Sequence, residues 1–406
     1  MIRKFLTNKE DDNHPLLGPN IWGLKLGRLL QTHDGSGFNS LIYNLIHIAA
    51  TFFVLSQYIE LWFIRSDIAL ALENLSVTME STICIVKAVT FVFWHKSWSD
   101  IINFVSSLEL SQLSTNDGKT RVVIGKYTKY SRVVTYSFCV LLVGTVLSEV
   151  VSPLLALFIS NNEDTVKNTT VSYPPIMSSW TPFERSQGFG YCLVFIEQTW
   201  FCCYAGVITS FYDSTVIVLM NFFAGQMHLL NINCSRLFEN SGELTNHEAE
   251  QKIRECHNHH LSLLKYCKIL DSVLSPVMFL YVIICSLMIC TNAVKLTSDS
   301  TTKMEKIRIV VYLTALISQL LLYCWHSNEV LVMSKQVDYG VYKSDWWTQD
   351  VKIRRSILLL GGQLRKTVCF AAGPFVNLNV PTFIAILKGS YSYYTLLNQK
   401  KDEFAI

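Results

Sequence analysis

Seven long apolar segments restrict the fold of this sequence more than any other feature. About 20 mainly apolar residues in an α-helix cross the roughly 30 Å hydrocarbon core of a bilayer. Segments of this kind occupy residues 38–64, 67–94, 131–159, 189–220, 261–294, 307–332 and 367–397. Backbone groups in lipid must be paired within the segment, so each one is expected to be helical. The sequence therefore predicts an all-α polytopic membrane protein with seven transmembrane helices.

Composition excludes the main alternatives. Charged residues make up 16% of the chain, whereas a soluble domain carries about 25%. A net charge of +3 over 406 residues provides no footprint for nucleic acid. The 12 cysteines show no repeated Cys-x-x-Cys spacing, which argues against both a zinc framework and a disulfide scaffold.

Lysine and arginine residues predict the orientation of the helices, because cytosolic loops carry an excess of them. If the N-terminus is cytosolic, the inner segments contain five, six, four and seven lysine and arginine residues. These segments are 1–37, 95–132, 235–265 and 334–366. The outer segments hold far fewer, so the C-terminus is expected to be extracellular. Asn168 then starts an Asn-Thr-Thr glycosylation sequon in the longest outer loop.

The same orientation argues against a G-protein-coupled receptor, whose N-terminus is extracellular. The third segment also lacks Asp-Arg-Tyr, and the seventh lacks Asn-Pro-x-x-Tyr. Both observations disfavour that class.

Two local patterns could support other chemistry. His95 and Asp100 match the His-x4-Asp spacing of acyltransferases, but the companion glycine- and proline-containing blocks are missing. A second cluster could bind a metal ion and consists of Cys256, His257, His259 and His260. Only its first and last members share a helix face, so a solvated cytosolic surface is favoured. We therefore expect no enzyme activity, no metal site and no cofactor.

Ionisable side chains within the apolar segments are candidates for a functional role, because burying charge in lipid is costly. These residues are Glu73, Glu80, Lys87, Glu149, Glu197, Asp213, Asp271 and Lys388. Glu149 and Glu197 fall in the outer halves of their segments. There they could border a water-accessible pocket or form hydrogen bonds between helices, and the sequence leaves both possibilities open.

The last apolar segment carries a polar stripe. At helical spacing, Lys388, Ser392, Thr395 and Gln399 share one face, and Leu396 interrupts it. A polar stripe on a membrane helix must face protein or water. Several copies around an axis would make a wet pore with Leu396 as a hydrophobic constriction. Periodicity alone favours simple packing against neighbouring helices.

The C-terminal sequence Thr-Phe-Ile-Ala-Ile-Leu-Lys-Gly-Ser-Tyr-Ser-Tyr-Tyr-Thr-Leu-Leu at 382–397 resembles the signature of insect odorant receptors. Upstream features fall in the order of that family, namely Ser327 to Val330, Tyr342, Trp346-Trp347, Arg354-Arg355 and Ala372-Gly373. One departure is the absence of a proline in 364–367, where the family often has one before the last helix.

The resemblance implies a tuning subunit that binds a small volatile odorant. Together with the odorant-receptor co-receptor it would form a tetrameric, non-selective cation channel in the plasma membrane of sensory neurons. The chain would divide into a cytosolic segment 1–37, six helices with an outer ligand pocket in 38–333, a cytosolic anchor 334–366 and a pore helix with a short tail in 367–406.

The resemblance also implies roles for individual residues. Leu396 matches the hydrophobic gate of the pore, with Gln399, Thr395 and Ser392 beside it. The ligand pocket would lie in the outer halves of the second, third, fourth and sixth helices. There the sequence supplies Met79, Gly144, Leu147, Ser148, Phe195, Gln198, Thr199, Val311, Tyr312 and Ala315. The alternatives are a gustatory-type channel, whose C-terminal signature differs, and a membrane acyltransferase built on His95 and Asp100.

Overall fold

The structure is a computed structural model that describes residues 13–30, 37–66, 68–115, 117–164, 175–182, 188–239, 245–297 and 303–404. Helices dominate this part of the chain. They are α1 Gly18–Leu26, α2 Gly37–Ile64, α3 Ile68–Phe93, α4 His95–Ser114, α5 Gly118–Asp164, α6 Gly188–Ser235, α7 Asn246–Leu296, α8 Lys303–Lys343, α9 Val351–Leu364 and α10 Val380–Phe404. A 3-10 turn spans Trp346–Thr348, and a hairpin pairs β1 (Ala371–Ala372) with β2 (Val376–Asn377).

Six of the described helices, α2, α3, α5, α6, α7 and α8, are long and apolar enough to cross a membrane. They match or enclose the first six predicted segments to within one residue, and α10 occupies most of the seventh. The predicted all-α polytopic fold is thereby confirmed. Helices α5 to α8 have 41 to 51 residues, about twice what a bilayer requires. Their polar ends therefore continue beyond the membrane, where the sequence predicted loops.

Helix α6 is the central element of the fold. Every residue from 212 to 224 is buried, and the helix packs against α1, α3, α5, α7 and α8. Most of these residues are apolar, as expected for a helix that is buried on all sides. Four polar side chains among them are hydrogen-bonded, namely Asp213, Ser214, Thr215 and Asn221. Near its end, α6 approaches α8 so closely that a Cβ atom on Gly340 would lie 2.2 Å from the Asn231 carbonyl oxygen.

The region around α9 follows α8. Helix α9 buries Ile353, Ile357, Leu360 and Leu364, a spacing of three to four residues that defines one helical face. This face packs against α7 and α8. The exposed side is mixed, because it carries Lys352 and Arg355 together with Leu358 and Leu359, which are 59% and 73% exposed.

The last helix begins later than the sequence predicted. The apolar segment was expected to be helical from residue 367, but α10 starts at Val380. Gly373 has φ +68°, and Pro374 has no backbone N–H to donate, so this stretch cannot continue a helix. It forms the β1–β2 hairpin instead, and the hairpin docks on α7 where Asp271 accepts a hydrogen bond from the Ala371 N–H at 2.8 Å.

Asn379 defines the start of α10. Its side-chain oxygen accepts a hydrogen bond from the Thr382 N–H at 2.9 Å, the usual way to satisfy a donor in a first helical turn. Pro381 lies in the same turn, where its missing N–H leaves no bond unmade.

Candidate functional site

A cavity of about 150 Å³ lies within the helix bundle. Residues of α3, α5, α6, α7 and α8 line it, and the segment 175–182 covers one end. Pockets between packed helices are the usual place for a small-molecule site in a bundle. This cavity is therefore the candidate ligand site.

Much of the wall is apolar. Val77 comes from α3, Leu142 and Val146 from α5, Phe201 from α6, and Ile176 from the covering segment. These side chains provide shape and apolar area, and burial of apolar surface is the main source of binding energy for a small volatile molecule.

Polar groups converge at one part of the wall. Arg308 Nη1 of α8 lies 2.9 Å from Glu149 Oε2 of α5 and forms an ion pair with it. The Tyr312 hydroxyl of α8 donates a hydrogen bond to Glu80 Oε2 of α3. Lys295 of α7 also lines the cavity. The wall thus combines apolar shape with a few polar groups that can orient a ligand.

Gln198 attaches the covering segment 175–182 to α6. Its amide oxygen accepts hydrogen bonds from the Ile176 and Met177 N–H groups at 2.9 and 3.3 Å. Its amide nitrogen donates to the Met177 carbonyl at 2.7 Å and to Ser179 Oγ at 3.0 Å. Gln198 is only 1% exposed, so water does not compete for these bonds. Gln198 therefore makes most of the hydrogen bonds that hold Ile176 and Met177 over the cavity. Two contacts with α2 add to them, from the Gln57 amide to the Met177 sulfur at 3.0 Å and from the Trp180 N–H to the Ser56 carbonyl at 3.2 Å.

A buried charge network lies one turn beyond the opposite end of the cavity. Lys87 Nζ of α3 lies 2.7 Å from Asp213 Oδ1 of α6, and the two side chains are 1% and 0% exposed. Asp213 also accepts hydrogen bonds from the Tyr323 hydroxyl at 2.6 Å and from the Gln319 amide, both on α8. Three helices that line the cavity are therefore joined by one buried pair of opposite charges, and such pairing is usual for charges within a membrane.

The predicted ligand residues have different positions in the structure. Tyr312 lines the cavity, and Gln198 holds the covering segment. The other eight are not among the cavity-lining residues. Leu147 and Gly144 lie on the exposed face of α5, Met79 packs on the core, and Ala315 is buried elsewhere in it. The remaining four of these eight residues also line no part of the cavity, and they are Ser148, Phe195, Thr199 and Val311.

Neighbouring positions supply the lining instead. Glu80 follows Met79, while Thr145 and Val146 lie between Gly144 and Leu147. One step along a helix turns the side chain by about 100°. The sequence thus located much of the correct stretch of α3 and α5 but not the correct face. The intramembrane carboxylates were a better guide, since Glu80 and Glu149, which the sequence marked as candidates for a functional role, both line the cavity.

Helix α10 has a buried face and an exposed face. Ser390 is buried, and its hydroxyl donates to the Ser286 carbonyl of α7 at 3.2 Å. On the opposite side, Ser392 is exposed, Leu396 is 54% exposed and Thr395 is half-buried. The side chains of Gln399 and Glu73, and the whole of Asn168, lie outside the described residues. The stripe predicted for the pore is therefore uncovered in a single chain.

The alternative sites do not assemble. His95 and Asp100 are both exposed on α4, where no cavity-lining residue occurs. Among the described residues, no three His, Cys, Asp or Glu side chains are placed to hold a metal ion, and this includes the cluster at 256–260. Glu197 is exposed on α6 and lines no part of the cavity.

One buried carboxylate lies outside the membrane helices. Glu109 of α4 accepts a hydrogen bond from the Leu16 N–H at 3.0 Å and so attaches the N-terminal segment to the bundle. Burial raises the pKa of Glu109 to about 7, although this bond and those from Thr128 and Tyr127 oppose the shift. Its charge therefore changes near neutral pH.

The chain is similar to known proteins along most of its length. A family model described as 7tm Odorant receptor matches residues 67–391. Odorant receptor 13a of Drosophila melanogaster is 24% identical over 352 residues, 82% of this chain and 80% of that relative. Odorant receptor Or2 of Anopheles gambiae is 27% identical over 218 residues, 52% of this chain and 56% of that relative. The match thus spans little more than half of the Anopheles receptor.

Solved structures share the fold. The insect olfactory receptor OR5 from Machilis hrabei in complex with eugenol superposes with a TM-score of 0.81 at 18% identity, covering 96% of this chain and 100% of that one. A second structure of that receptor gives a TM-score of 0.78 at 16% identity, covering 95% and 99%. At this level of identity the likeness concerns the fold.

Proposed function

Because the chain belongs to the 7tm odorant receptor family, we propose that it is a tuning subunit of an odorant-gated, non-selective cation channel assembled with the odorant-receptor co-receptor. Its relatives are odorant receptors and not enzymes. The observation that carries the proposal is the cavity of about 150 Å³ within the bundle. A space of this size, with mixed apolar and polar walls, suits a small volatile ligand.

In this proposal the ligand enters beneath the segment 175–182 and contacts the lining of α3, α5, α6, α7 and α8. Of the residues first considered from the sequence, Tyr312 keeps a direct contact and Gln198 acts by holding the cover. Other residues of α3, α5, α6 and α8 that line the cavity take the place of the remaining eight.

The exposed stripe of α10 supports a pore-lining role for this helix. Ser392 and Leu396 are exposed and Thr395 is half-buried, and a polar stripe in a membrane must meet protein or water. Copies of α10 from four subunits would enclose a wet path, with Leu396 as the gate and Gln399 beside it.

Two helices connect the cavity to α10. Asn292 and Lys295 of α7 and Arg308 of α8 line the cavity, and both helices pack against α10. A ligand that binds the open arrangement better than the closed one would shift α7 and α8 and widen the ring at Leu396.

The remaining parts of the proposal concern location and assembly. The lysine and arginine distribution supports a cytosolic N-terminus and an extracellular C-terminus, with Asn168 as an outer glycosylation site. Membership of the odorant receptor family supports the plasma membrane of sensory neurons as the location. The exposed Trp347, Leu358 and Leu359 support residues 334–366 as a cytosolic anchor where subunits meet.

A cavity-filling substitution tests the ligand site. Ala205 lines the cavity, so Ala205→Phe should raise the ligand concentration for half-maximal current by about tenfold or more, because the added ring occupies the binding space. Patch-clamp recording with the co-receptor and an odorant panel, without nucleotide in the pipette, measures this effect. Cys203→Phe is the control, because Cys203 lies two residues away on the exposed side of α6. Equal loss in both variants, or a response that requires GTP, would contradict the proposal.

A second substitution tests the gate. Leu396→Ala should raise the basal current, because a smaller side chain weakens the hydrophobic barrier to water and ions. Leu387→Ala is the control, since Leu387 is half-buried on the same helix and outside the stripe. Unchanged basal and evoked currents in Leu396→Ala would refute the gate assignment.

A further inference from the structure

The Glu80 carboxylate is an unusual group in the cavity wall. It lies on a membrane helix, yet it is exposed and lines the cavity. A carboxyl group can accept hydrogen bonds on both of its oxygens. Among the described residues, the hydroxyl of Tyr312 is its one hydrogen-bond donor. Acceptor capacity therefore remains on the cavity side of Glu80, where a ligand can reach it.

The other charged groups of the lining make Glu80 the natural polar anchor. Arg308 is paired with Glu149 at 2.9 Å, so its charge is already compensated within the wall. The lining carries two acidic residues, Glu80 and Glu149, and two basic residues, Lys295 and Arg308. The formal charge of the wall is thus balanced, and a neutral ligand leaves that balance undisturbed.

The volume limits the size of the ligand. A cavity of about 150 Å³ is known to hold benzene in an engineered protein, and this cavity has a similar volume. A guest of roughly six to ten non-hydrogen atoms fits on that comparison. The ligand is therefore a single ring or a short chain with one polar group.

We propose that the cavity selects small neutral alcohols and phenols whose hydroxyl donates a hydrogen bond to Glu80, over ethers of the same size. This inference rests on the proposed receptor function and adds the ligand class. The physical reason is that an ether in the same position leaves the carboxylate without its donor. A site built to bond a hydroxyl rejects the analogue that lacks one far more strongly than it rejects a change in apolar size.

Isomer pairs test the proposal, because they differ in the oxygen group and have the same atoms. Para-cresol is compared with anisole, and hexanol with dipropyl ether, by patch-clamp recording of the chain with the co-receptor. The hydroxyl isomer of each pair should act at a concentration about tenfold lower or more, because the ether leaves an acceptor inside the cavity without a donor. Glu80→Gln should reduce this ratio toward one, and Glu197→Gln should leave it unchanged, because Glu197 lies outside the cavity lining.

Tyr312→Phe distinguishes the role of Glu80 in ligand binding from that of Tyr312. The variant removes the tyrosine hydroxyl and keeps the carboxylate, so the preference for the hydroxyl isomer should persist. This variant and the wild-type ratio decide the question if Glu80→Gln fails to reach the cell surface. Loss of the preference in Tyr312→Phe with retention in Glu80→Gln would assign the anchor to Tyr312 and overturn the proposal.

The remaining outcomes distinguish this proposal from the receptor function. Equal potency of the isomers, or activation by other volatiles and by neither hydroxyl compound, would overturn the ligand class and leave the channel intact. Hexylamine acting at lower concentration than hexanol would replace the neutral ligand with a cation and also overturn it. If no volatile of a broad panel evokes current although the subunits reach the surface, the proposed function itself fails.

Discussion

Gln198 is the side chain whose replacement should most directly open the cavity. It forms four hydrogen bonds with the segment 175–182, and two of them satisfy the N–H groups of Ile176 and Met177. In Gln198→Ala these two donors lose their partner, and a buried unsatisfied donor costs roughly 1–3 kcal/mol. The closed position of the segment should thus lose about 3 kcal/mol relative to an open one, where water can replace the amide. That difference corresponds to roughly a 100-fold change in the closed-to-open ratio.

Two measurements check this value. Amide hydrogen exchange on the purified protein reports Ile176 and Met177 directly, and their protection should fall by about 100-fold. Because both residues line the cavity, an agonist should also dissociate faster, and currents recorded with the co-receptor should decay faster after washout.

A neighbouring variant serves as the control. Glu197→Ala removes an exposed side chain next to Gln198 and should change neither readout. Unchanged protection at Ile176 and Met177 in Gln198→Ala would refute the reasoning, because the segment would then be held by other contacts. One such contact is the hydrogen bond from Gln57 to the Met177 sulfur at 3.0 Å.

Two further predictions concern stability. Lys87→Met should destabilise the protein by about 3–5 kcal/mol, because it leaves the charge of Asp213 buried and uncompensated. Adding Asp213→Leu should restore much of the lost stability. Thermal unfolding in detergent measures both variants, and a double variant no more stable than the single one would contradict the pairing. Burial raises the pKa of Glu109 from 4.5 to about 7, so the folded state holds this proton more tightly than the unfolded chain. Stability should therefore fall as pH rises between these values, by up to about 3 kcal/mol. Glu109→Gln should raise the melting temperature at about pH 7.5 and change it little at about pH 4.5, and equal shifts at both pH values would refute the assignment.

The number and order of the membrane helices followed from local composition. A run of 20 apolar residues can satisfy its backbone in lipid only as a helix, so the segments at 38–64 and 67–94 could be read without knowing their neighbours. The last segment was harder, because its first part is apolar but not helical. Gly373 and Pro374 were visible signs of a break, and the docking of the hairpin on Asp271 required α7 to be in place.

The candidate site shows which contacts could not be predicted from the sequence. Intramembrane charges at Lys87, Asp213 and Glu80 were recognisable one at a time, but their partners lie 106 to 232 positions away. Nothing local indicates that Lys87 meets Asp213 and that Tyr312 meets Glu80. The ligand residues chosen at 144, 147 and 148 lay on the right helix, but they were rotated away from the cavity, because the packing of α5 against α6 decides which face is buried.

The sequence by itself determined that this chain crosses a membrane, that its segments are helical, and to which family its C-terminal signature points. These properties depend on residues that are close together in the chain. The tertiary structure decided which faces enclose the cavity, that Gln198 holds its cover, and that Glu80 is exposed to its interior. Those features arise from contacts between distant helices, and they depend on how side chains interlock at each helix crossing rather than on how apolar each segment is.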